Sequence, residues 1–184
     1  MGLTSHRDGP AGDATRLERV DTFTLTVEPI DSTESLALIH ALHADLDERY
    51  KDDNNEVYDS YSLESFLSSL PPHLVAPPAG AFVVGRLDGT AVACAAVRST
   101  GEDGLGELKR MYVAPEARGL GISRLVLARV EDEARALGYD RIRLETGIRQ
   151  PEAIALYESS GYEPIPLYGQ YADDPLSRCY AKHL

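Results

Sequence analysis

Residues 106–161 contain most of the side chains and turns in this sequence that could do chemistry. An apolar run ends at Val113 and Pro115 breaks it. Arg118-Gly119-Leu120-Gly121-Ile122-Ser123-Arg124 then opens an amphipathic segment. A strand, a glycine-rich turn and a helix in that order gather free backbone N–H groups at the positive end of a helix dipole, which makes a cradle for phosphate. Gly119 and Gly121 lack Cβ, so a pyrophosphate could lie directly against the backbone. Arg118 and Arg124 could add charge-assisted hydrogen bonds at the rim. A Gly-x-Gly turn can also serve only to pack a helix closely on a sheet, and the turn alone leaves both readings open. No lysine follows the glycines, which excludes a Walker-type phosphate loop.

Two further groups have reactive chemistry. His40 and His43 stand three apart on a predicted helix, a spacing open to a metal or base pair. No third ligand lies near them in sequence, which favours ordinary helix histidines and no metal. Cys94 and Cys179 both lie in apolar runs and are expected to be buried free thiols, as suits a reducing cytosol.

The glycine segment resembles the Arg/Gln-x-x-Gly-x-Gly/Ala signature of the GNAT superfamily of acyl-CoA-dependent N-acyltransferases. Downstream, Ala153-Ile154-Ala155-Leu156-Tyr157-Glu158-Ser159-Ser160-Gly161-Tyr162 is similar to that family's second signature, Ala-x-x-Leu-Tyr-x-x-x-Gly-Phe/Tyr. The two occur in the family's order, about 30 residues apart, a distance that one helix and one strand fill. The resemblance is close over residues 81–162. Two positions depart from the pattern. Ser123 stands where Gly or Ala is usual, and Gln150 stands where Asn often precedes the second helix; Gln is a poor N-cap.

The resemblance implies acetyl-CoA as co-substrate and transfer of its acetyl group to a primary amine. Such a reaction must hold the thioester, deprotonate the amine, stabilise an oxyanion and protonate the leaving thiolate. By position in the family, the backbone of Met111, Tyr112 and Val113 pairs with the pantetheine arm, and an N–H near Val113 meets the oxyanion. The segment Arg118, Gly119, Leu120, Gly121, Ile122, Ser123 and Arg124 holds the pyrophosphate, and Gln150 is a further cofactor contact. Tyr157 is the expected general acid and Glu107 the expected base. Glu145 and a water chain remain as alternatives to Glu107.

These residues need a scaffold, and the sequence outlines one. Residues 1–20 show no periodicity and are expected to be a flexible tail before a domain spanning 21–184. Thr22–Val27 alternates as a half-buried strand. Asp31 or Ser32 can cap a helix that carries Leu36, Ile39, His40 and His43 on one face, followed by an acidic cluster from Asp45 to Asp53. Leu63–Leu70 reads as a short helix stopped by Pro71-Pro72. Asp88-Gly89 joins two Val- and Ala-rich strands as a hairpin, and a third strand follows through Glu107. After the glycines, Ile122, Leu125, Val126, Val130, Ala134 and Leu137 form a helical stripe. Arg141–Thr146 reads as a strand parallel to the one before the helix. Pro151 opens another helix, Gly161 ends it, and two strands, Tyr162–Leu167 and Arg178–Leu184, close the chain around a polar, aromatic loop at 168–175. The sum is an α/β fold of the GNAT type. It has a mixed, mostly antiparallel sheet of six to seven strands and about four helices.

The 184 residues carry a formal charge of −12, with no basic stripe and no apolar run of spanning length. That argues against nucleic acid and against membrane insertion as partners. The sequence does not name the acceptor. A small-molecule amine is the leading expectation, and the two expected free thiols suggest a cytoplasmic location. A protein lysine or N-terminus, and a non-catalytic acyl-CoA sensor, are the alternatives. Many GNAT members pair, so a homodimer is open as well.

Overall fold

A computed structural model of the chain describes residues 22–51 and 62–184. The expected N-terminal tail, and Asp52 and Asp53 of the acidic cluster, lie outside those residues. Among the described residues a seven-stranded sheet runs in the order β1-β2-β3-β4-β5-β7-β6. The strands are β1 (Phe23–Val27), β2 (Gly80–Leu87), β3 (Thr90–Ser99), β4 (Leu105–Val113), β5 (Arg141–Gly147), β6 (Glu163–Ile165) and β7 (Ser177–His183). The helices are α1 (Thr33–Tyr50), α2 (Leu63–Ser68), α3 (Ile122–Ala136) and α4 (Pro151–Ser159). All strand pairs are antiparallel except β4 with β5, which α3 joins as a crossover.

Local chemistry sets the ends of these elements. The Ser32 hydroxyl accepts from the Ser35 N–H and caps α1, while Ser62 does the same for α2. Asp88 and Gly89 both adopt positive φ, as a two-residue turn of mirror-image type requires. Gln150 precedes α4 without a side-chain cap, as expected for Gln.

The centre of the sheet is apolar on both faces. Phe82, Val83 and Val84 of β2 are fully buried, as are Ala93 to Val97 of β3. α3 covers one face with Ile122, Val126, Leu127, Val130 and Ala134. The expected stripe is corrected at Leu125, which is 39% exposed while Leu127 is buried. A helix lying on a sheet buries a band wider than one row of side chains, and here the band extends toward Leu127. α1 covers the other face through Leu38, Ile39 and Leu42.

His43 is buried edge-on to Phe66 and 3.1 Å from Asp47, whereas His40 is exposed. No group of three His, Cys, Asp or Glu side chains among the described residues could hold a metal ion. Cys94 and Cys179 are buried and unpaired. No helix among the described residues is long and apolar enough to cross a membrane.

Two features of β4 position the site. Its pairing with β5 covers only Leu105, Gly106 and Glu107, while β5 continues to Gly147. On its other edge the register slips: Ala96 pairs with Lys109 but Cys94 with Tyr112, so β4 holds one extra residue there. This is a β-bulge, and Arg110 within it has φ of 55°, a conformation unusual for a residue with a side chain.

Candidate active site

Beyond Glu107, β4 and β5 leave a cleft of about 920 Å³ between them. Its walls are Lys109, Arg110 and Met111 of β4, Glu145 to Gly147 of β5, and Leu42, Leu46 and Tyr50 along one face of α1. Phe66 and Ser69 close one end, and the 170–177 segment lies across another side. Tyr50 seals α1 against β5. A Cβ at Gly147 would come within 1.6 Å of the Tyr50 hydroxyl, so any larger residue there would displace Tyr50. Gln150 donates its side-chain amide to that hydroxyl at 3.4 Å, which directs this expected cofactor contact toward α1.

At the turn before α3, Gly119 and Gly121 have φ of 76° and 81°, values that glycine alone adopts without penalty. A Cβ on either would meet nothing within 4 Å, so the space above them is open. None of the backbone N–H groups from Gly119 to Ser123 has a backbone acceptor, and no side chain caps α3. These unpaired donors lie beside that open space at the positive end of a four-turn helix, where an anion is stabilised. Leu120 and Ile122 turn their side chains inward, and Ile122 is 1% exposed. Arg118 reaches back to the Val113 carbonyl at 2.9 Å and to Asp45 at 3.1 Å. Arg124 donates to the Ser159 hydroxyl at 2.9 Å. Both guanidiniums remain exposed at the rim. The five N–H groups would hold a pyrophosphate through the backbone, with these two cations flanking it.

Tyr157 is buried at the point where α4 faces the split between the strands. Its hydroxyl lies 3.6 Å from the Met111 sulfur, a weak acceptor. Burial, with the nearby Glu145 charge, raises its pKa well above that of an ordinary phenol. The proton therefore stays on the oxygen over the whole neutral range, beside β4 residues Met111 to Val113.

The two candidate carboxylates differ sharply. Glu107 is 1% exposed and does not line the cleft. Arg98 grips it with Nε at 3.0 Å and Nη2 at 2.7 Å, Lys109 lies 3.1 Å away, and the Tyr168 hydroxyl donates to it at 2.9 Å. Burial alone would raise its pKa, but the Lys109 and Arg98 charges and the Tyr168 hydrogen bond outweigh it, and the net shift is downward. Glu145 lines the cleft. Burial is the main cause of its raised pKa, opposed by the Ser177 hydroxyl at 2.7 Å and reinforced by the neighbouring Asp174 charge. Ser177 also lies 3.0 Å from Asp174. One hydroxyl has one proton to donate, so it can serve only one of the two carboxylates at a time.

Three participants were not singled out in the sequence. Tyr168 and Tyr171 pin their loop onto the sheet through Glu107 and Lys109, the latter at 2.6 Å from the Tyr171 hydroxyl. Arg110 extends from the bulge to Phe66 and Ser69. A signal for Arg110 was available: it follows buried Leu108 by two residues, and alternation would place its charge on the apolar face unless the strand bulged.

Comparison with known proteins agrees with this geometry. The profile of the acetyltransferase (GNAT) family matches residues 39–162. An IAA acetyltransferase from Azospirillum brasilense is 44% identical over 131 residues, which span 66% of this chain and 86% of that protein. A Klebsiella pneumoniae structure, provisionally named an acyl-CoA N-acyltransferase, is 34% identical, covers 88% of this chain and 97% of its own, and superposes with a TM-score of 0.69. A GNAT family acetyltransferase from Elizabethkingia anophelis with acetyl-CoA bound shares the fold at 15% identity, with a TM-score of 0.63 over 89% of this chain and 99% of its own.

Proposed function

The chain belongs to the GNAT acetyltransferase family and is an acyltransferase, and from that premise we propose that it moves an acetyl group from acetyl-CoA to the primary amine of a small molecule. The observation that carries the donor assignment is the run of free N–H groups from Gly119 to Ser123, opening onto space beside the unpaired edge of β4. Bound acetyl-CoA in a protein of the same fold supports it. The pyrophosphate lies on the turn, flanked by Arg118 and Arg124. The pantetheine arm follows the backbone of Met111, Tyr112 and Val113, which brings the thioester to the mouth of the cleft. A backbone N–H near Val113 then faces the developing oxyanion, and the Tyr157 hydroxyl protonates the leaving sulfur.

Glu145 is proposed as the base, acting directly or through one water, because it lines the cleft and holds a raised pKa. Glu107 supports the site by fixing Lys109 and Tyr168. A small acceptor is favoured over a protein because Gln170, Tyr171, Asp173 and Asp174 lie along the cleft where a peptide would need to pass.

The first experiment is a thermal-shift titration of the full chain with acetyl-CoA, with ATP and NAD as controls. A ligand at 100 times its dissociation constant adds about 2.7 kcal/mol, which raises Tm by roughly 5–10 °C in a protein of this size. A shift with acetyl-CoA alone, followed by thiol release with an amine panel, is the expected result. No shift in folded protein would reduce the turn to a packing device.

A further inference from the structure

The guanidinium of Arg110 has no carboxylate partner. Among the described residues every ion pair of the cleft belongs to another cation: Arg98 and Lys109 share Glu107, and Arg118 and Arg49 share Asp45. Arg110 instead spends one nitrogen, Nη2, on the Phe66 carbonyl and on the Ser69 hydroxyl at 2.8 Å. Its plane stacks on the Phe66 ring with Cζ 3.5 Å from the centroid. Nε and Nη1 donate to no described residue. Neither is among the buried polar atoms that lack a partner, so both remain open to the cleft that Arg110 lines.

The arrangement is costly to build. A bulge places a non-glycine residue at positive φ, and partial burial pulls the guanidinium down to about 10. It remains charged at neutral pH. An unpaired cation in such a place is stabilised when an anion arrives. The stacking and the two Nη2 bonds hold the guanidinium still. Nε and Nη1 point to different sides of the group, so each offers a single charge-assisted N–H that can take one carboxylate oxygen end-on. Leu42, Leu46 and Phe66 form an apolar wall next to it, and Glu145 lies on β5 across the split, near Tyr157.

We propose that the acceptor is an amino acid-like molecule, with a carboxylate seated on Arg110 at the α2 end of the cleft and its amine directed to Glu145 at the split between β4 and β5. This rests on the transferase reading above and narrows its acceptor to primary amines that also bear a carboxylate. The protons balance: the ammonium gives one proton to Glu145, nitrogen bonds the acetyl carbon, the C–S bond breaks as Tyr157 protonates the sulfur, the second nitrogen proton released as the amide forms restores Tyr157, and Glu145 passes its proton to solvent.

The test uses the full chain with aliphatic α- and ω-amino acids of graded length, each against its own carboxamide. Binding is read by calorimetry in the presence of CoA, and transfer from acetyl-CoA by thiol release. The wild-type protein is expected to prefer at least one amino acid over its amide by about tenfold or more, the scale of a lost charge-assisted contact. In Arg110→Gln that preference should collapse toward unity. In Arg110→Lys, which keeps charge but not the guanidinium held by stacking on Phe66, it should be only partly retained. Equal binding of acids and amides by the wild type overturns the proposal. So does a preference that survives in Arg110→Gln, because a purely structural role for Arg110 would weaken acids and amides alike. Acid-selective binding without any acetyl transfer would retain the carboxylate seat and sink the transferase reading instead.

Discussion

At the scale of single residues the site separates donors from acceptors of protons by their surroundings. Tyr157 is held neutral by burial and has only a thioether for a partner, so its proton is available to a leaving thiolate. Tyr157→Phe removes the proton and keeps the ring. The expected outcome is a fall in kcat of well over tenfold, the usual worth of a positioned acid, while acetyl-CoA affinity measured by calorimetry stays close to wild type.

The two glutamates can be separated by pH. A base must be ionised, so the rate should fall as pH drops through the raised pKa of Glu145. In Glu145→Gln that acidic limb of kcat/KM should vanish, leaving a low, flat profile. The Glu107 pKa is shifted downward by the Lys109 and Arg98 charges, opposite to Glu145, so Glu107→Gln should keep the limb at its original pH even if overall activity falls. A limb lost in Glu107→Gln and kept in Glu145→Gln would return the base role to Glu107. Sequence could name both carboxylates because both lie on strands flanking the split. The resemblance ranks Glu107 first, but their surroundings depend on Arg98, Tyr168 and Ser177, which reach the site from separate segments and are not legible in the sequence.

At the scale of elements, the turn before α3 and the bulge in β4 use opposite devices for the same purpose of exposing donors. The turn was legible because glycine announces positive φ; the bulge was not, because Arg110 adopts positive φ with no glycine to mark it. Periodicity, with proline and glycine at the ends, placed the four α-helices of the described residues. It failed at Leu125 and His40, where burial depends on which neighbour a helix face meets and not on its own pattern. The strand β6 is shorter than its apolar run suggests, since only Glu163 to Ile165 find partners on β7.

The glycine turn can be tested as an element. Gly121→Val forces a branched side chain into the left-handed region, at roughly 1–2 kcal/mol, a cost a domain of ordinary stability survives. Its methyl groups would fill the space that Gly121 leaves open. Acetyl-CoA affinity should fall by at least about tenfold, while urea unfolding remains a single transition with an unchanged slope. Unaltered affinity would show that no phosphate lies on Gly121.

At the scale of the whole molecule, the sheet is two halves that share only three residue pairs between β4 and β5. On one face α3 packs on β2, β3 and β4 and reaches the other half through Glu131, which pairs with Lys182 of β7 at 2.9 Å. On the other face, the 168–177 segment is fastened across the junction by Tyr168 on Glu107, Tyr171 on Lys109 and Ser177 on Glu145. Glu107 is thus a fastening for the fold as well as a support for the cleft, and its shifted pKa gives that role a signature. Its folded-state value lies below the unfolded one, so its contribution to stability is fully present above the unfolded pKa and is lost as pH falls through the folded pKa. Glu145 is shifted the other way, and its contribution is present below its unfolded pKa and lost as pH rises through the folded one. Replacing Glu107 by Gln leaves Arg98 and Lys109 facing each other without a counter-charge. Breaking a buried pair in this way costs about 3–5 kcal/mol, with the lower end apt because both cations are partly solvated. Tm at neutral pH should therefore fall by roughly 6–12 °C, and the loss of stability on acidification should be shallower than in the wild type. Glu145→Gln should leave neutral-pH stability unchanged or raise it, because the isostere removes a penalty for burying charge. Calorimetric scans of both variants from acid to neutral pH separate these effects. A Glu107→Gln protein that melts with the wild type at neutral pH would mean that the two halves are held together without Glu107, by the β4–β5 pairing and the Glu131–Lys182 link from α3 to β7.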